Sequence, residues 1–261
     1  MLRLTGRIVL LTAFFLVGFV AHAQSVESPS PRDTIASGIL TERISQRDYQ
    51  RWEAIKRIVF ARDAEGRPLH PTLQSLWERV DQSGHAVYIE IYPAGTELSN
   101  TAGAFRLERF DPLGVRHVAV IRLYPAVIDS AYISPSMARS NGFIPFVGLT
   151  REERYAEVLG HELAHALNIL GDLRRARRVV EEIDQTNEQF LSQGRRYGYA
   201  TLKPEMLERI IKRDRFLKEL EDQVEAIESA IWSELAAGRE LKGKKVMTAL
   251  TKPKPQVQSP K

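Results

Sequence analysis

Six histidines occur in the 261-residue chain, and two of them, His161 and His165, stand four positions apart in VLGHELAHALN (158–168) with Glu162 directly after the first. Imidazole is the commonest side-chain ligand for metals. On a helix a spacing of four puts two side chains on one face, about 40° apart at 100° per residue, so both rings can reach one ion. Glu162 is adjacent but rotated, which suits a base beside a metal better than a ligand to it. The chain has no cysteine, so disulfides, thiolate chemistry and Cys-ligated zinc are excluded together. Any metal site must therefore use His and carboxylates.

The element that carries the pair has its own start and stop signals. Thr150-Arg-Glu-Glu153 has the form of a capping box, with the Thr hydroxyl available to the amide of Glu153 and the carboxylate able to reach back. Gly171 offers a stop of the kind that accepts a left-handed cap. A helix over 151–170 follows. Val158, Leu159, Leu163, Ala164, Ala166 and Leu167 around the motif are all uncharged, so the helix is expected to be buried nearly all round. Two histidines inside it need polar partners, and a metal would supply them.

His161-Glu162-Leu163-Ala164-His165 resembles the signature of the zincin metallopeptidases. The resemblance implies zinc as cofactor, a zinc-bound water, His161 and His165 as ligands, Glu162 as general base, and a β-sheet whose edge strand lies along the substrate cleft beside the motif helix. It covers some twenty residues. The metzincin extension is absent, because Asn168 and Gly171 stand where that subgroup has Gly and a third His. What remains is the gluzincin arrangement, whose third ligand is a Glu from a later helix. Tyr197 and Tyr199, in RRYGYA, are the residue type that often donates to the oxyanion in such enzymes.

Helical phase sorts the acids available for that third position. In DLRRARRVVEEIDQTNEQFL, with Leu173 at 0°, the apolar set centres near about 290°, while Glu181 falls at about 80° and Glu182 at about 180°. Both point toward solvent. In LEDQVEAIESAIWSEL, with Leu220 at 0°, Val224, Ile227, Ile231 and Leu235 centre near about 30° and Glu228 lies at about 80°, on the shoulder of the stripe. A carboxylate there costs free energy unless paired or metal-bound, so Glu228 is the expected third ligand, with Glu182, Glu225 and Glu234 as alternatives. Asn187, in the apolar stripe of its helix, is read either as a donor orienting a ligand or as a satisfied core amide. His117, alternating with Ala119, Ile121 and Leu123, reads as a half-buried strand histidine rather than a catalytic one.

The rest of the chain must position this helix. Ile44, Trp52, Ile55, Ile58 and Val59 fit one helical face, and Leu73, Leu76, Trp77 and Val80 fit another. The stretches 85–95, 104–110 and 115–124 are rich in β-branched and aromatic residues, and Asp111-Pro112-Leu113-Gly114 joins the last two as a hairpin. Everything after about Thr150 reads as helical. Strands before a helical C-terminal half predict an α+β class, here a small mixed zincin-like domain over 39–245.

The ends carry other signals. Met1 to Ala23 has Arg3 and Arg7, an uncharged run from Ile8 to Val20, then Ala21-His22-Ala23, the order of a secretory signal peptide cleaved after Ala23. The run is shorter than the roughly 20 residues of a membrane span, so membrane attachment is expected only through this segment if it stays uncleaved. Residues 24–38 read as a flexible lead-in and 246–261 as a disordered Pro/Lys-rich tail. Loss of Arg3 and Arg7 reduces the formal charge of +4 by two, too weak a balance to imply nucleic acid, and the basic residues are not interleaved with aromatics. The expectation is a secreted or periplasmic zinc metallopeptidase acting on peptide or protein substrates. The alternative is a catalytically silent zincin-fold module for binding or envelope assembly.

Overall fold

The computed structural model describes residues 36–92, 102–130, 148–184, 204–237, 240–241 and 244–245. The signal segment, most of the lead-in, Asn187, Tyr197, Tyr199 and the tail from 246 lie outside the described residues. No helix among them is long and apolar enough to cross a membrane.

The sheet forms where β-branched residues alternate. β1 (Gly38–Leu40), β2 (Ala86–Ile91), β3 (Gly103–Arg109) and β4 (Val118–Leu123) line up in the order β1-β2-β4-β3, with β1, β2 and β4 parallel and β3 antiparallel to β4. β1 lies outside the strand-like stretches of the sequence. It takes Gly38, the last residue assigned to the lead-in, with φ of 99°, a left-handed conformation open to glycine.

Because side chains alternate along a strand, Val87, Ile89, Ile91, Phe105, Ala119, Ile121 and Leu123 all reach one face and enter the core. On the other face Glu90 accepts from both Arg43 and Arg122, and Arg43 also bonds Glu108 and lies 3.8 Å over the Tyr88 ring.

Helices cover the core face. α1 (Tyr49–Val59) and α2 (Pro71–Asp81) bury Trp52, Ile55, Val59, Leu73, Leu76 and Val80, the phases read from the sequence. α3 (Pro125–Ser130) follows β4, and α4 (Arg151–Leu170) is the motif helix. It packs on β3 and β4 and against α1, α2 and α6 (Pro204–Leu235), so it is the centre of the fold. α5 (Leu173–Arg178) runs into a π-helical turn, Val179–Asp184. The C-terminal half is not wholly helical, since β5 (Glu240–Leu241) pairs with β6 (Lys244–Lys245). The class is α+β, as the order of textures implied.

A pair of buried histidines ties the end of α4 to the sheet. His85 Nδ1 accepts the amide of His117 at 3.1 Å and its Nε2 faces the carbonyl of Leu170, the last residue of α4, at 3.1 Å. His117 Nδ1 accepts the amide of Asp111 at 3.0 Å, and the two rings stack with centroids 4.9 Å apart. His117 is thus fully buried, at 1% exposure, rather than half-buried.

Each imidazole uses a nitrogen as acceptor, so a second proton breaks a bond. Burial holds both pKa values below the ordinary 6.5, helped at His117 by His85 and opposed at both by Asp111; the Leu170 carbonyl also opposes it at His85. With the folded pKa depressed, the unfolded chain binds more protons below about pH 6.5, and stability present above that pH is lost as the pH falls. Gln at position 85 can keep both bonds without titrating. His85→Gln is therefore expected to flatten the loss of urea stability between about pH 7 and pH 5, by at most about 1.4 kcal/mol per pH unit. An unchanged acid slope would show that His85 does not titrate with unfolding.

Candidate metal centre

α4 begins as its sequence requires. The Glu153 amide donates to Thr150 Oγ1 at 3.2 Å, and the Thr150 amide donates to Glu153 Oε2 at 2.7 Å. Its end differs from expectation. Gly171 has φ of −76° and ψ of −5°, right-handed rather than left-handed. The glycine is needed for space instead, because a Cβ there would stand 2.8 Å from the Leu167 carbonyl oxygen.

On the face of α4 turned to α6, His161 Nε2 and His165 Nε2 stand 3.0 Å apart. Glu221 of α6 completes the group, with Oε2 at 3.5 Å from His161 Nε2 and Oε1 at 3.5 Å from His165 Nε2. One ligand atom from each of the three lies within 4.8 Å of the others. Two imidazole lone pairs cannot face each other at this distance without a proton or a cation between them. The donor set, two imidazole nitrogens and one carboxylate, is one that divalent metals take in exchange for the imidazole protons. His165 is 4% exposed, whereas the Glu221 side chain is 38% exposed, which leaves one side of the triad open to solvent.

Glu228, the expected third ligand, stands behind the ring. Its Oε2 is 3.5 Å from His161 Nδ1, in ion-pair range though without hydrogen-bond geometry, on the side away from His165. The carboxylate in the expected place is Glu221. Seven residues make about 700°, only about 20° short of two turns, so Glu221 and Glu228 share one helical shoulder but stand about 10 Å apart along the axis. Phase alone cannot separate them.

The antiparallel packing of α6 on α4 sets Glu221 opposite His161 and His165, and Glu228 opposite His161 and Glu157. The alternatives lie elsewhere. Glu225 and Glu181 are exposed, the side chain of Glu182 is outside the described residues, and Glu234 accepts from the amide and hydroxyl of Thr72, holding the start of α2.

The surroundings are strongly negative. Burial works to lower the His161 pKa, but Glu228, Glu162 and Glu221 outweigh it and raise it to about 10. A field that holds a proton this firmly also attracts a metal cation. Burial pushes Glu221 up, yet the hydrogen bond and charge of His165 and the charge of His161 bring it below the ordinary carboxylate value. Glu157, one turn before His161 and 2% exposed, is held well above that value by burial and by the Glu228 carboxylate.

Glu162 does not join the triad. It is 3% exposed, and burial lifts its pKa despite the two histidines and a backbone hydrogen bond from Phe105. β3 makes this contact because it is the edge strand. Tyr124 donates its amide to Ala102, so with Gly103 opposite Leu123 the backbone groups of Gly103 and Phe105 point off the free edge.

Gly103 lets the strand close on the helix, since a Cβ there would stand 2.6 Å from Val158 Cγ1 and 2.8 Å from Glu162 Oε1. Gly103→Ala is accordingly expected to displace Glu162 and lower any hydrolytic rate by about 10- to 100-fold, as small misplacements of a reacting group do, with metal content kept. Equal rates would mean that the strand does not set the position of Glu162.

These features define an α+β domain with a His161–His165–Glu221 group able to hold a metal ion. No family model, curated protein or solved structure matches the chain, so the site's chemistry rests on its own geometry.

Proposed function

We propose that the protein is a zinc-dependent peptidase in which His161, His165 and Glu221 hold the ion and Glu162 is the general base. The observation that carries this reading is the convergence of two Nε2 atoms and one carboxylate at 3.0 to 3.5 Å beside a buried acid that ligates nothing. Two donors each about 2.0–2.1 Å from one tetrahedrally held zinc lie about 3.3–3.4 Å apart, between the separations seen here.

Bound zinc would lower the pKa of a water toward about 7 and polarise a carbonyl. Glu162 takes a proton from the attacking water and returns it to the leaving amine. Glu228, behind His161, orients that ring and strengthens it as a ligand. Beyond Phe105, whose backbone Glu162 already takes, β3 becomes progressively exposed and its edge offers an extended peptide a strand to pair with. An exported location, secreted or periplasmic, belongs to the same proposal.

Zinc content of the purified chain, measured beside cleavage of a peptide mixture, tests this. About one zinc per chain, lost in His165→Ala together with cleavage, supports it. No zinc in the parent protein overturns it, and zinc without cleavage indicates the catalytically silent alternative.

A further inference from the structure

The β3–β4 hairpin turns at Asp111-Pro112-Leu113-Gly114-Val115, at the opposite end of β3 from Gly103, which packs on Glu162. Leu113 is 82% exposed and Val115 72%, the two most exposed large apolar side chains among the described residues. Between them Gly114 has φ of 69°, and a Cβ there would lie 3.4 Å from Leu173 Cδ1. Leu173, at the start of α5 and 37% exposed, is therefore the third member of one projecting apolar cluster.

Cations surround it. Arg109, Arg174 and Arg177 are exposed and Arg116 is partly so, and Arg177 follows Leu173 by four positions, one turn along the same face. The nearby acids are occupied. Asp111 accepts from the amides of Leu113 and Arg116, and Asp172 from those of Arg174 and Arg175.

We infer that this tip docks on an anionic lipid surface, with Leu113, Val115 and Leu173 entering the headgroup boundary and the arginines meeting lipid phosphates. Aliphatic side chains ringed by cations suit such a boundary. A protein partner fits less well. The tip offers three apolar side chains, whereas a stable protein interface takes about 800 Å² from each partner. A fluid surface needs no matching cavity.

The absence of cysteine makes the test direct, because Leu113→Cys can carry the only thiol label on the full chain. Leu69→Cys is the control, 48% exposed and just before α2, at the opposite end of that helix from His85. Each protein is labelled with an environment-sensitive fluorophore and mixed with phosphatidylcholine vesicles with and without phosphatidylglycerol. The label at 113 is expected to shift blue and to be quenched by spin-labelled lipid only when phosphatidylglycerol is present, while the label at 69 stays in water.

Arg174→Glu with Arg177→Glu is expected to weaken this signal by about tenfold or more, and added salt should weaken it too. A label at 113 that stays in water overturns the proposal, whether or not the chain binds vesicles by another part. So does a blue shift that depends on protein concentration without lipid, which would indicate a second copy of the chain as the occupant.

Discussion

Glu162→Gln is expected to reduce peptide cleavage by roughly two to four orders of magnitude, the usual worth of a general base, while leaving metal content at the parent level. The amide fills the same volume, and its oxygen can keep the Phe105 backbone bond, so the contact between β3 and α4 survives. None of the three triad side chains changes. What is lost is an atom that can take a proton, because the second carboxylate oxygen, Oε2, buried and without a hydrogen-bond partner, becomes an NH2 group. Rates measured on any cleaved peptide, beside zinc content and melting temperature, separate this from misfolding. Parent-like cleavage by the variant would show that Glu162 is not the base.

Glu221→Ala is expected to weaken zinc binding by more than Glu228→Ala does. Changes behind a ligand already cost about 10- to 100-fold in affinity, which is the range expected for Glu228, whose carboxylate stands on the far side of the His161 ring beside Glu157. Loss of Glu221 removes one of three donors and should exceed that range. On the proposed reading zinc binds the folded chain, so the zinc-dependent rise in melting temperature should shrink in the same order. Glu181→Ala, an exposed control, should leave both quantities unchanged. Titration with zinc at fixed pH decides the matter, since protons compete for the same imidazoles. The reverse order, with Glu228→Ala losing the metal and Glu221→Ala keeping it, would put α6 in a different register on α4.

Local features were legible from the chain itself. The Thr150–Glu153 box, the apolar phases of α1 and α2, the alternating strands and the shared face of His161 and His165 all arise within a few residues, through hydrogen bonds and periodicities that need no distant partner. Gly171 marks the end of α4 in the sequence without revealing the cause, because a left-handed cap and a close carbonyl both call for glycine. The shoulder of α6 was also legible. Glu221 sits on it at about 100° where Glu228 sits at about 80°, so phase marks both carboxylates equally.

What the sequence alone determined, then, is the common face of His161 and His165, the acid beside them, and the α+β order of elements. The tertiary structure decided which carboxylate stands with the two histidines, which strand runs along Glu162, and what stands behind His161. Helical phase has a period of 3.6 residues and repeats almost unchanged after seven, so it reports direction but not height. Height comes from how far one helix slides along another. That is set by steric fits such as Gly160, where a Cβ would lie 2.6 Å from Ile231 Cδ1 and 2.9 Å from Leu73 Cδ1, contacts that join residues about 70 to 90 positions apart and exist only once the chain has folded.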